Sequence, residues 1–321
     1  MSGAVLVLVE TEGDEVVEVS LETLTFARSM GAVHALVVGT AGDALTGRLG
    51  EYGVERVVSV QGEAYSGYAA AAWAAAVVEA ADGVSAVLAA GTPRGNEVLA
   101  HVACRLDVAM AANVVAVVPG DSLVVARQVL GGAALEELPL PDAVAVLSVA
   151  GHACDPEPAA TPTTPVVAEL RPEVAPKDLL ARVVRTEPGE PDESGGLKSA
   201  RVVVGAGRGA GGPDGFGDLL ELTELLGGAL GVSRVVTSLG WRPHHEQVGQ
   251  TGSRVTPDLY VAAGISGAIQ HWAGMSSSKT ILSVNSDPDA PMVTKAHYAV
   301  IGDLHEIVPA INEEIRRRRS A

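Results

Sequence analysis

Aromatic residues and cysteines are scarce in this sequence. Phe, Trp and Tyr make up 3 % of 321 residues, so any core is built from aliphatic side chains. Cys104 and Cys154 are the only cysteines. They form no CxxC, no zinc spacing and no disulfide framework, which points to a reducing compartment such as the cytoplasm. Basic charge is in deficit: 22 Lys and Arg stand against 39 Asp and Glu, a net charge of -17. Nucleic acid and anionic membrane surfaces are therefore poor partners. The one basic cluster, Arg316 to Arg319, reads as the solvated end of a C-terminal helix, where cations suit the helix dipole. No apolar stretch is long enough for a transmembrane segment, since the best candidate, residues 64–78, is too short and reads as an Ala-rich core helix. The start, MSGAVLVLVETEGDE, looks like a strand and not like a signal peptide.

What is present is an aliphatic composition, 47 % hydrophobic, in a chain long enough for two domains that each bury a core. From residue 1 to 153 Val-rich runs (AVLVLVE, VHALVVG, RVVSV, SAVLAAG, NVVAVVPG, AVAVLSVAG) alternate with helical patterns over Leu21–Ser29, Asp43–Tyr52, the Ala-rich stretch and Asn96–Leu106. Continuous apolar strands between helices predict a mostly parallel α/β sheet covered on both faces. Residues 154–199 hold eight of the 18 prolines and end in TEPGEPDESGGLKS, which reads as a linker with strands in VVAEL and LLARVVR. A second α/β unit, residues 200–321, opens with RVVVGAGRGAG. It continues through the helix DLLELTELLGGALG, a second strand in SRVVTSLG, then LYVAAG, TILSVN, YAVIG and a helix from Leu304. This predicts a C-terminal doubly wound, Rossmann-like domain.

Gly205, Gly207 and Ala210, or Gly207, Gly209 and Gly212, sit between strand and helix, as a dinucleotide loop requires. A nicotinamide site also wants a carboxylate after the second strand, and GVSRVVTSLGW has none. GMSSSKT lacks the second glycine of a P-loop, GISGA lacks the last glycine of a nucleophile elbow, and His244, His245 and Glu246 lack metal-ligand spacing. The remaining candidate is VGQTGSRVTPDLYVAAGISGAIQH. There Gly249, Gly252, Gly264 and Gly267 clear space while Gln250, Thr251, Ser266 and Gln270 offer neutral hydrogen bonds, with His271 closing the run. Such a set suits a flat, heteroatom-rich ligand at a strand's carboxyl end, and flavin is one. A His or Arg beside the flavin N1 and C2 carbonyl would offset the negative charge a reduced ring carries there.

GxGRG at Gly205–Gly209, SR at Ser233–Arg234, VGQTG at Val248–Gly252 and GISGAIQHxAGM at Gly264–Met275 resemble the FAD domain of electron transfer flavoprotein α subunits. SKTI, NSDPDAP and GDL follow in the same order, so the resemblance spans about residues 200–315, and the N-terminal part is similar only in layout and in weaker features such as the helix after GTPRGNE. It implies an FAD-binding domain and a separate electron transfer flavoprotein β subunit that completes a heterodimer. It further implies electrons taken from flavoprotein dehydrogenases, such as acyl-CoA dehydrogenases, and given to a quinone-linked oxidoreductase, the chain itself being a carrier and not an enzyme.

Carried over by position, Arg208, Ser233, Arg234, Val248, Gly249, Gln250 and Thr251 would serve the cofactor, with Arg234 near the isoalloxazine and Thr251 near its N5. Ser266, Gly267, Ala268, Ile269 and Gln270 would hold the diphosphate, and His271 would meet the C2 carbonyl. Asn285, Asp303 and Leu304 would take the adenosine end. The sequence departs from the family pattern at Ala206, often Gly, and at Pro243–His245 before VGQTG. Rival readings are an electron-bifurcating variant fed by NADH, a nicotinamide-dependent dehydrogenase and a non-redox nucleotide-binding regulator.

Overall fold

The computed structural model describes residues 3–119, 122–130, 134–151, 153–186, 196–197 and 199–319. The chain divides into two units, one of Met1–Val129 and Leu135–Glu187, the other built on Pro188–Ala321. Most of the acidic stretch TEPGEPDESGGLKS lies outside the described residues.

In the first unit the elements are β1 Ala4–Val9, a two-stranded ribbon β2 Thr11–Glu12 and β3 Glu15–Val16, then α1 Glu18–Ala27, β4 Val33–Val38 and α2 Asp43–Glu51. Next come β5 Val54–Val60, α3 Ala70–Ala80, β6 Val84–Ala90, α4 Pro93–Leu106 and β7 Met110–Val118. The unit ends with β8 Val124–Val129, β9 Ala134–Pro139, β10 Ala145–Val149 and β11 Val166–Leu170. Nine strands make one sheet in the order β11-β5-β4-β1-β6-β10-β7-β8-β9. The central strands are parallel and β8 adds antiparallel to β7. Strand alternation splits β1 between two cores: Val5, Val7 and Val9 face Leu21, Leu24, Leu45 and Leu49, while Leu6 and Leu8 face Ala72, Ala76, Val98 and Val102. The alanines of α3 let it lie close to α4.

Some boundaries differ from the sequence expectation. VVAEL is a strand, β11, and it pairs with β5 at the sheet edge. LLARVVR carries no strand; its start belongs to a 3-10 turn, Pro176–Leu179, and the remainder is irregular. Strands β8 and β9 were not anticipated: their mixed polar sequences, VVARQV and ALEELP, are only partly buried and lack a continuous apolar run.

The second unit contains β12 Val202–Ala206, α5 Gly217–Leu226, β13 Ala229–Val232, α6 Arg234–Ser238 and β14 Leu259–Ala263. It continues with α7 Ile269–Trp272, β15 Thr280–Asn285, α8 Pro291–Lys295, β16 Tyr298–Ile301 and α9 Leu304–Arg319. All five strands are parallel in the order β13-β12-β14-β15-β16. The order reverses between β12 and β14, so the crevice beyond their carboxyl ends is where a doubly wound sheet binds ligands.

The second strand is not in SRVVTSLG. Helix α5 stops because Gly227 takes a left-handed φ of 61°, which closes the helix at Leu226. The chain then enters β13 at Ala229, and Arg234–Ser238 forms a helix. Ala206, where the family often has Gly, is not among the residues of positive φ, so its side chain costs the backbone nothing there.

Candidate functional site

Every strand of the second sheet delivers a turn to one cleft. After β12, the Gly207 amide donates to the Ala263 carbonyl at 2.9 Å and the Gly209 amide to the Gly264 carbonyl at 3.1 Å. The turns after β12 and β14 thus cross backbone on backbone. A Cβ on Gly207 would stand 2.1 Å from the Gly264 oxygen, and one on Gly209 would stand 2.6 Å from the Gly264 Cα. Gly205 has another function: its missing Cβ makes room for the Tyr260 ring, whose oxygen would lie 2.3 Å away. The glycine spacing read as a phosphate loop therefore reflects close packing at Gly205 and Gly207, neither of which lines the cleft.

After β13, Ser233 is buried and its amide donates to the Ala206 carbonyl, while its Oγ has no hydrogen-bond partner. Arg234 follows at once and is exposed, as is Arg208 after β12. The loop that carries QTG is pinned on two sides: the Val248 amide donates to the Val232 carbonyl, and the Gln250 amide to the Gln270 carbonyl at 2.8 Å. Gly249 and Gly274 meet so closely that a Cβ on Gly274 would lie 2.4 Å from the Gly249 Cα. Gln247, buried, accepts from the Thr237 hydroxyl at 2.6 Å and donates to Thr251 Oγ1 at 3.0 Å. At the far side, Asn285 Nδ2 donates to the Ile265 carbonyl at 3.0 Å, and Asp303 Oδ1 accepts from the His305 amide.

His271 is 6 % exposed, with Nε2 2.9 Å from the Tyr260 hydroxyl and no hydrogen-bond partner for Nδ1. Burial lowers its pKa to about 4; the Val248 backbone, near the ring but outside hydrogen-bonding geometry, works the other way. His271 is thus neutral at pH 7, and the positive charge in the cleft wall comes from Arg208 and Arg234. The unfolded chain takes up a proton near pH 6.5 that the folded chain refuses until about pH 4. Stability contributed by the neutral ring is full above pH 6.5 and is lost as pH falls toward 4, on the order of 3 kcal/mol across that window. Thermal melts of wild type and His271→Gln should diverge at pH 7 and converge toward pH 4; parallel curves would refute the buried neutral histidine.

The resulting cleft has a volume of about 950 Å³. It is lined by Arg208, Ser233, Arg234, Val248, Gly249, Gln250, Thr251, Ser266, Ala268, Gln270, His271, Asn285, Asp303 and Leu304, all singled out from sequence. Gly267 and Ile269 do not line it: Gly267 packs its backbone on Met292, where a Cβ would come within 2.3 Å of the amide nitrogen, and Ile269 is 71 % exposed. Gln247, Val235, Asp287 and His305 line it and were not picked out, although Asp287 lies within NSDPDAP and the other three directly adjoin VGQTG, SR and GDL.

The cleft crosses the ends of five strands, which at about 4.8 Å per strand spans roughly 19 Å, the scale of an extended dinucleotide. Arginines stand at the β12 and β13 turns, an amide and carboxylates at the ends of β15 and β16. Ser233 Oγ and His271 Nδ1 are buried polar atoms left for a partner. These features fit FAD. Where a nicotinamide site would need a carboxylate, at the end of β13, Ser233 and Arg234 stand instead. Among the described residues no group of His, Cys, Asp and Glu is arranged for a metal, and no helix is long and apolar enough to cross a membrane.

Comparison with known proteins agrees with this geometry. Residues 5–175 match the electron transfer flavoprotein domain, and residues 196–276 match the electron transfer flavoprotein FAD-binding domain. The electron transfer flavoprotein subunit alpha of Mycobacterium leprae is 35 % identical over 318 residues, 98 % of each chain. That of Paracoccus denitrificans is 34 % identical over 316 residues, 97 % of this chain and 100 % of the relative. With Thermoanaerobacterium thermosaccharolyticum identity rises to 51 %, over 121 residues, or 38 % of this chain and 37 % of the relative. Near-full-length similarity to the Mycobacterium leprae and Paracoccus denitrificans proteins, added to an FAD-binding domain folded around a dinucleotide-sized cleft, places the chain in the electron transfer flavoprotein α subunit family.

Proposed function

We propose that the cleft holds FAD along the strand ends, the isoalloxazine at the β13 side and the adenosine at the β15 and β16 side. The carrying observation is the division of charge. Arg208 and Arg234 make no ion pair among the described residues, while Asn285, Asp287 and Asp303 present acceptors suited to ribose hydroxyls and adenine. When bound, FAD supplies reversible one- and two-electron chemistry on its ring. The chain's residues do the rest: Arg234 offsets charge near the ring, Gln247 orients Thr251, and the neutral side chains of Gln250 and His271 add hydrogen bonds without fixed charge. The Ser266–Gln270 segment takes the diphosphate.

In this reading the chain pairs with a β subunit in the cytoplasm. It receives electrons from flavoprotein dehydrogenases, acyl-CoA dehydrogenases among them, and passes them to a quinone-linked oxidoreductase. It acts as a carrier, in keeping with its relatives' name, electron transfer flavoprotein.

The test is to purify the chain together with its β subunit, record the absorbance spectrum and count flavin released on denaturation. One FAD per heterodimer is expected. Two would indicate an electron-bifurcating protein with a second flavin in the partner, and a preparation that stays colourless after addition of FAD would remove the reading.

A further inference from the structure

Tyr260 lies in the middle of β14, between β12 and β15, and is completely buried. Its hydroxyl meets His271 Nε2 at 2.9 Å, the two rings edge to face with centroids 6.1 Å apart. Among the described residues the hydroxyl makes no other hydrogen bond. The site exists only because position 205 has no side chain.

A buried hydroxyl and a buried imidazole can share one proton contact in two ways. If His271 carries its proton on Nε2 and donates to Tyr260, the tyrosine proton has no acceptor and Nδ1 has no donor. If Tyr260 donates to Nε2, the ring proton sits on Nδ1 and only that donor still needs a partner. Each unsatisfied buried group is costly, so the second arrangement, which leaves one in place of two, prevails. Burial also keeps both groups uncharged, raising the tyrosine pKa and lowering that of the histidine.

We propose that Tyr260 is a positioning residue that holds His271 as the Nδ1–H tautomer, so that this cleft-lining side chain meets the isoalloxazine edge as a hydrogen-bond donor. The identity of the ring as the acceptor rests on the FAD reading above; the tautomer does not. Gly205 belongs to the same device, since a side chain there would drive the phenol off the imidazole. Without the phenol, the neutral imidazole reverts toward its ordinary Nε2–H form and offers the ligand a lone pair in place of a proton.

The experiment uses the full-length chain with its partner subunit, labelled with ¹⁵N at histidine and read by long-range ¹H–¹⁵N correlation. The His271 signals are assigned by their disappearance in His271→Gln. Wild type is expected to show a protonated Nδ1 and a bare Nε2 from pH 6 to 8. Tyr260→Phe keeps the ring and its packing, and is expected to shift the majority of the population to Nε2–H while flavin affinity falls roughly tenfold. A wild type in the Nε2–H form overturns the proposal whether or not the variant folds, and so does a Tyr260→Phe protein that retains Nδ1–H. Because the tautomer is read with or without flavin, a protein that binds no FAD yet shows Nδ1–H in wild type and loses it in Tyr260→Phe refutes the cofactor reading and leaves this one standing.

Discussion

Gly207→Val is expected to abolish the folded second unit. The substitution puts its first carbon 2.1 Å from the Gly264 oxygen and 2.8 Å from the Ile265 Cα, contacts with backbone that no rotamer relieves. Those atoms belong to the turns after β12 and β14, whose mutual hydrogen bonds join the two central strands where the sheet order reverses. Separating them breaks the bonds from Gly207 and Gly209 together and opens the cleft at its middle. The expected loss is on the order of 4–5 kcal/mol, at the extreme of single-substitution effects. Gly212→Ala is the matched control: nothing lies within 4 Å of the added carbon, and the backbone there is extended, with φ of 167°. Calorimetry and limited proteolysis should show the second unit missing in the valine variant and intact in the alanine variant. A Gly207→Val protein that melts like wild type would mean that the two turns can part.

The same pair of glycines shows where sequence reading stops. Both belong to alternative versions of one nucleotide-loop pattern, and the pattern predicts the same role for each. The fold assigns them different roles because one faces a neighbouring turn and the other faces solvent, a distinction made by β14, more than 50 residues on. The site motifs were legible for the opposite reason. VGQTG and SGAIQH are local segments whose glycines and amides are needed side by side, and the structure brings both to the cleft.

The parallel sheets were legible because their strands are buried on both faces and read as unbroken Val-rich runs. Strands β8 and β9 were hidden because Arg127, Glu136 and Glu137 interrupt them and Arg127 pairs with Glu136 only after the strands are formed. The second strand was misplaced by four to five residues because two adjacent glycines, Gly227 and Gly228, fall inside an otherwise helical pattern, and only the left-handed turn at Gly227 ends the helix.

Arg242 and Glu246 carry the second large effect; in the sequence Glu246 drew notice only beside His244 and His245 as a rejected metal group, and Arg242 drew none. Glu246 is 1 % exposed, and its carboxylate accepts from both Nε and Nη2 of Arg242, the first bond being 2.8 Å. The guanidinium also lies over the Phe216 ring, 5.9 Å from its centre, so the pair ties the loop before QTG to the core under α5. Gln247, the next residue, holds Thr251. Arg242→Ala leaves a carboxylate buried without its counter-charge, which costs about 3 kcal/mol once the partial exposure of the arginine is allowed for. For a unit of this size that corresponds to a fall of about 10 °C in Tm. The loop must then turn Glu246 toward water, which pulls Gln247 off Thr251 and deforms the cleft wall, so flavin retention through gel filtration should drop by at least about tenfold. The double variant Arg242→Met with Glu246→Leu removes both charges and keeps the volume, and apolar pairs of this kind commonly match or exceed the ion pair they replace. It should regain most of the lost Tm. If it melts as low as Arg242→Ala, the damage comes from lost packing on Phe216 and not from a stranded charge.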